Sequence, residues 1–95
     1  MRLDEQEYKA LEQATCDVEG EMYLFGSRVD DEAKGGDIDL LIVTGEDTFD
    51  VSRKVTVQFQ MMCDEKIDVL AVSRDNRTDE EEQFLKKLNE LVRIK

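Results

Sequence analysis

The residues best suited to chemistry in this chain are Asp37, Asp39 and Asp68. Asp37 and Asp39 open the apolar run DIDLLIV. Alternate residues of a strand point to one face, so the two carboxylates share a face with Leu41 and Val43. At ~3.3 Å rise per residue their Cα atoms lie about 6.6 Å apart, within reach of one shared ion. KIDVLAVS repeats the device, with Asp68 third in its run as Asp39 is third in its own. Parallel in-register pairing of the two runs predicts Asp68 beside Asp37 and Asp39. Carboxylates so close repel one another, and burying them unbalanced raises their pKa values or destabilises the fold. A divalent cation resolves the conflict. Oxygen-only ligands suit Mg²⁺ or Mn²⁺, and Mg²⁺ takes one or two carboxylates together with substrate phosphates and waters. Two such ions about 3.5–4 Å apart stabilise the attacking and leaving oxygens of an in-line phosphoryl displacement.

Gly26-Ser27 supplies a complementary feature. Glycine lets the backbone approach a phosphate, a short helix after it presents free N–H groups to an anion, and the Ser27 hydroxyl adds a donor. Arg28 reads equally as a phosphate contact or as a surface ion-pair residue. Each feature alone has a plainer reading: a Gly-Ser pair is common, and an acid at a frayed strand end is simply solvated. Their order and their compatible faces, taken together, point to a metal-dependent site.

These residues need elements to hold them. Leu3, Tyr8, Leu11, Ala14 and Val18 predict a helix over residues 3–17, ended by Gly20. Met22 to Phe25 read as a short buried strand, 28–33 as a short helical turn, and Asp37 to Thr44 as the second strand. Asp47 or Thr48 caps a helix over residues 49–63 with Val51, Val55, Phe59 and Met62 as its stripe. The segment Val55 to Phe59 also alternates like a strand. Lys66 to Ser73 is the third strand. Thr78 and Glu81 form a capping box before a last helix whose apolar face is Phe84, Leu85, Leu88, Leu91 and Val92. A strand–helix–strand unit favours a parallel pair with a right-handed crossover. For Gly26 to meet Asp37, the first strand must run antiparallel to the second. The expected fold is α/β (α+β): a small mixed sheet packed with about four helices.

The 95 residues predict a single domain over 1–95, and no apolar run approaches the length of a membrane span. The acidic, amphipathic start resembles no signal or transit peptide, so the expected address is the cytoplasm. Cys16 and Cys63, with no CxxC spacing, read as reduced core thiols. The chain has no histidine, which removes His-based acid–base chemistry and the usual zinc sites. A net charge of −11 counts against binding a nucleic-acid backbone. It suits a basic protein partner or a site that collects cations, and it equally serves solubility.

Gly-Ser, nine residues, DID with an apolar run, and a later strand acid in KIDVL together resemble the nucleotidyltransferase superfamily of DNA polymerase β type. The short length resembles its minimal nucleotidyltransferase branch. The motif similarity covers about a third of the chain, Met22 to Val43 and Lys66 to Leu70. The resemblance implies a polymerase β palm-like fold. It implies that Gly26 and Ser27, with Arg28, hold a nucleoside triphosphate, that Asp37 and Asp39 ligate two Mg²⁺ ions, and that Asp68 binds the ion activating an acceptor hydroxyl. A nucleoside monophosphate, AMP from ATP, passes to that hydroxyl and pyrophosphate leaves. Members of this branch are often paired with a small helical HEPN protein, an RNase-like toxin, and in some pairs the transferase adenylylates a tyrosine of the toxin. The loop departs from the family's basic pattern, since Asp30, Asp31 and Glu32 follow Arg28. These acids repel a triphosphate unless metals and Lys34 compensate.

The first expectation is thus a Mg²⁺-dependent transferase acting on a protein hydroxyl, because no spare domain is left to hold a small acceptor. An antitoxin that only masks a HEPN partner is the second. A small-molecule transferase built from an oligomer is the third, with Met61-Met62 or the last helix as the apolar contact between copies.

Overall fold

The computed structural model of the protein describes residues 3–26, 38–88 and 91–95. Among these residues the order is α1 (Glu5–Ala14), β1 (Glu21–Phe25), β2 (Ile38–Thr44), α2 (Thr48–Met62), β3 (Ile67–Ser73), α3 (Asp79–Lys87) and β4 (Val92–Arg93). The strands form one mixed sheet in the order β3-β2-β1-β4. β1 runs antiparallel to β2, and β2 runs parallel to β3 across the α2 crossover, as the sequence predicts. The short helix expected over 28–33 lies outside the described residues. The described helices number three.

Alternation separates the two faces of the sheet. Met22, Leu24, Ile38, Leu40, Ile42 and Ile67 face Ala10, Leu11 and Ala14 of α1 and Val51, Val55 and Phe59 of α2 in one buried cluster. The opposite face carries Phe25, Asp39 and Asp68, with Leu41 and Val72 buried further along the strands.

Local chemistry explains the helix boundaries. At α1, Glu7 N donates to Asp4 Oδ1 at 2.7 Å and Asp4 N to Glu7 Oε1 at 3.0 Å, a capping box that lets a glutamate be buried. Asp47 caps α2, accepting from Asp50 N at 3.0 Å. The strand-like segment 55–59 is helical, because the 3.6-residue period places Val51, Val55 and Phe59 against the sheet and leaves Val57 outside. Met62 is partly exposed rather than part of the stripe.

The last helix is shorter than the apolar pattern implies. The Thr78–Glu81 box is present, but α3 ends at Lys87 and Val92 lies in β4. β4 pairs Leu24↔Val92 and Tyr23↔Arg93, and Ile94 N donates to Met22 O while Met22 N donates to Lys95 O. Residues 92–95 thereby satisfy the outer edge of β1 and bring Ile94 against the core. A surface helix would have left both unmade. The thiol expectation is also half corrected: Cys63 is buried, Cys16 is exposed, and neither is in a disulfide.

Ion pairs tie the sheet at the end where β1 begins and β2 and β3 finish. Arg74 Nη2 donates to Glu19 Oε1 at 2.5 Å and to Glu21 Oε2 at 3.3 Å, and Gly45 N donates to Glu19 Oε2 at 2.9 Å. Lys54 of α2 reaches Asp17, just past α1, at 2.8 Å. No helix among the described residues is long and apolar enough to cross a membrane.

Candidate functional site

The opposite end of the sheet, where β1 finishes and β2 and β3 start, holds the acids. Ile38 N donates to Lys66 O at 3.1 Å, which sets the register from the first residue of β2. Asp39 and Asp68 are then direct partners across the parallel pair, followed by Leu41↔Leu70 and Val43↔Val72. Their Cα atoms are separated by the inter-strand spacing, roughly 4.8 Å, and both side chains leave the same face. Asp39 is half-buried and Asp68 exposed. The sequence expectation for these acids therefore holds in register and in face. Asp37, the third expected carboxylate, lies outside the described residues, as do Ser27 and Arg28.

Gly26 follows β1, whose last residue, Phe25, is the antiparallel partner of Asp39. Its φ of 75° falls in the left-handed region open chiefly to glycine. A Cβ on Gly26 would overlap Asp39 Oδ2, so the backbone itself lies against the carboxylate. The glycine expected to approach a phosphate is thus also the residue that packs on a candidate metal acid. The sequence predicts that Gly26 approaches the start of β2, and the Phe25↔Asp39 register decides that the residue it packs on is Asp39.

A second feature escaped the sequence. Phe84 of α3 meets Phe25 edge to face, with ring centroids 6.1 Å apart and planes at 78°. This places α3 over the acid-bearing face rather than against the core. The amphipathic pattern of α3 signals an apolar side but not the face that receives it.

A hard dication fits what is described: oxygen donors from adjacent strands, on one face, with no histidine or thiol beside them. Among the described residues there is no cluster of three or more His, Cys, Asp or Glu side chains placed to hold a metal ion. Asp39 and Asp68 are two of the three acids expected for such a site. At the other end of the sheet, hydrogen bonds and ion pairs shift two groups against each other. The Gly45 N–H, with the Arg74 guanidinium beside it, holds Glu19 below its ordinary value of 4.5, and Glu19 in turn raises Arg74.

Compared with protein-family models, residues 12–94 match the one described as Polymerase beta, Nucleotidyltransferase. No match was found among curated proteins. The matched segment runs from the last turn of α1 to beyond β4 and takes in every strand of the sheet. The chain belongs to the polymerase beta nucleotidyltransferase family, whose general reaction is nucleotidyl transfer.

Proposed function

We propose that the chain is a metal-dependent transferase that moves AMP from ATP onto a hydroxyl of a protein partner, a small helical HEPN-type protein that it neutralises as an antitoxin. The observation that carries the catalytic part is the direct pairing of Asp39 with Asp68, with Gly26 packed on Asp39. The net charge of −11 and the resemblance to minimal nucleotidyltransferases support the basic, RNase-like partner.

In this reading Asp37, Asp39 and Asp68 hold the Mg²⁺ ions, and Mn²⁺ can replace them. Bound Mg²⁺ supplies Lewis-acid neutralisation of phosphate charge and eases ionisation of the acceptor hydroxyl. Gly26 admits the triphosphate close to the backbone, and Ser27 and Arg28 donate to it. Asp68, exposed on β3, orients the acceptor side. The hydroxyl oxygen bonds to the α-phosphorus, the bond to the bridging oxygen breaks, pyrophosphate leaves, and the hydroxyl proton passes to solvent.

Incubation with α-labelled ATP, Mg²⁺ and a HEPN-type partner tests this. Label should appear on the partner, and Asp39→Asn and Asp68→Asn should each lower it on the order of a hundredfold or more. Label on an antibiotic or sugar, with none on protein, would displace the protein-acceptor reading. The acidic run after Arg28 favours a second reading, in which the chain masks its partner without transfer. Asp37→Asn separates them: neutralisation that survives the substitution means that binding suffices.

A further inference from the structure

Beside Asp68, α3 and the acid-bearing face flank an open cavity of about 390 Å³, whose lining among the described residues includes Phe25, Asp68, Leu70, Glu80, Glu81 and Phe84. Asp68 borders this cavity, while Gly26 and Asp39 do not. The cavity therefore adjoins the carboxylate given the acceptor side, not the glycine given the phosphates. Its apolar part is built but uncovered: Phe84 keeps 40 % of its surface exposed despite its contact with Phe25, and α3 buries no residue fully. Phe25, Leu70 and Phe84 together make a contiguous apolar surface with carboxylates at its edge, the arrangement that marks an interaction site rather than a scattered surface residue.

Among the described residues its polar rim has one sign. The first turn of α3 is Asp79, Glu80, Glu81 and Glu82. Glu81 accepts from Thr78 N at 2.9 Å and Glu82 pairs with Arg77 at 3.0 Å, so these two complete the helix start. Glu80 is exposed and serves neither purpose.

We infer that this cavity is the acceptor subsite, with Leu70 and Phe84 receiving the apolar part and Glu80 the cationic part of a basic protein segment that carries the hydroxyl. The inference rests on the transferase reading, because Asp68's part in it makes the cavity an acceptor site. Charge complementarity selects the occupant: an acidic turn on a chain of net charge −11 attracts a Lys- or Arg-bearing segment and repels an acidic one. Docking and delivery of the hydroxyl then become one event.

Backbone-amide NMR of the whole chain with Mg²⁺ reads this without requiring turnover. The probe is a lysine-flanked tyrosine peptide, compared with the same peptide flanked by glutamates. Binding of the lysine peptide should move the Phe25, Leu70 and Phe84 amides and be at least tenfold tighter than binding of the glutamate peptide. Phe84→Leu and Glu80→Gln should each weaken it about fivefold, while affinity for a non-cleavable ATP analogue changes less than twofold. Circular dichroism confirms that α3 persists in both variants. Equal binding of the two peptides, or perturbations elsewhere, overturns the inference. So does Phe84→Leu weakening the nucleotide instead, which makes the cavity a nucleobase site, or abolishing a dimer, which makes the occupant a second copy. Transfer that proceeds with no peptide binding at Phe84 removes the inference alone. Peptide binding with no AMP passed to any partner removes the transferase reading and the acceptor role with it.

Discussion

At the level of single residues, Gly26 has two duties that one substitution can separate. Its φ of 75° and the closeness of Asp39 Oδ2 leave no room for a Cβ. Gly26→Ala must therefore displace the carboxylate as well as crowd a phosphate. Mn²⁺ affinity measured without nucleotide should fall about tenfold, or ~1.4 kcal/mol, approaching the loss produced by Asp39→Asn. Unchanged affinity would limit the glycine to phosphate approach. The sequence made half of this readable. Asp39 and Asp68 are each third in their runs, so parallel pairing predicts their meeting. The approach of Gly26 to the start of β2 is readable too, but its packing on Asp39 is not, because the Phe25↔Asp39 register alone decides which acid the glycine meets.

Among the elements, legibility tracked how far each depends on its own period. α2 could be drawn from Val51, Val55 and Phe59 although residues 55–59 also alternate, because three turns of burial outweigh five residues of β pattern. Phe59→Ala should cost about 3–5 kcal/mol in a urea unfolding experiment, since that ring is fully buried between α2 and the sheet. The end of the chain departs from its local pattern: Leu91 and Val92 continue the spacing of α3, whereas the unpaired edge of β1 is a tertiary demand that no local pattern contains. Thr78→Ala should destabilise by about 1 kcal/mol, and the same variant should weaken the lysine peptide if α3 is the wall of its site. Loss of stability with undiminished peptide binding would separate the helix start from recognition.

For the whole molecule, the ion-paired end of the sheet gives the fold a pH dependence. Glu19 is held below 4.5 chiefly by the Gly45 N–H and then by Arg74, and Asp17 below 3.8 chiefly by Lys54. A carboxylate lowered on folding stabilises the fold above its unfolded value, and that contribution is lost as pH falls through the folded value. Thermal stability should therefore decline below about pH 4.5, and Glu19→Gln should flatten the decline on its acid side. The effect is modest, since these pairs are exposed and screened by salt. An equally steep decline in the variant would assign acid sensitivity elsewhere. The facing aspartates have a further consequence for how the chain finds its own alignment. Sliding β3 one residue along β2 would turn Asp68 toward the buried apolar cluster and Ile67 toward the acid-bearing face. The two acids thus act as an index mark during folding, making a misaligned sheet costly before any ligand is met.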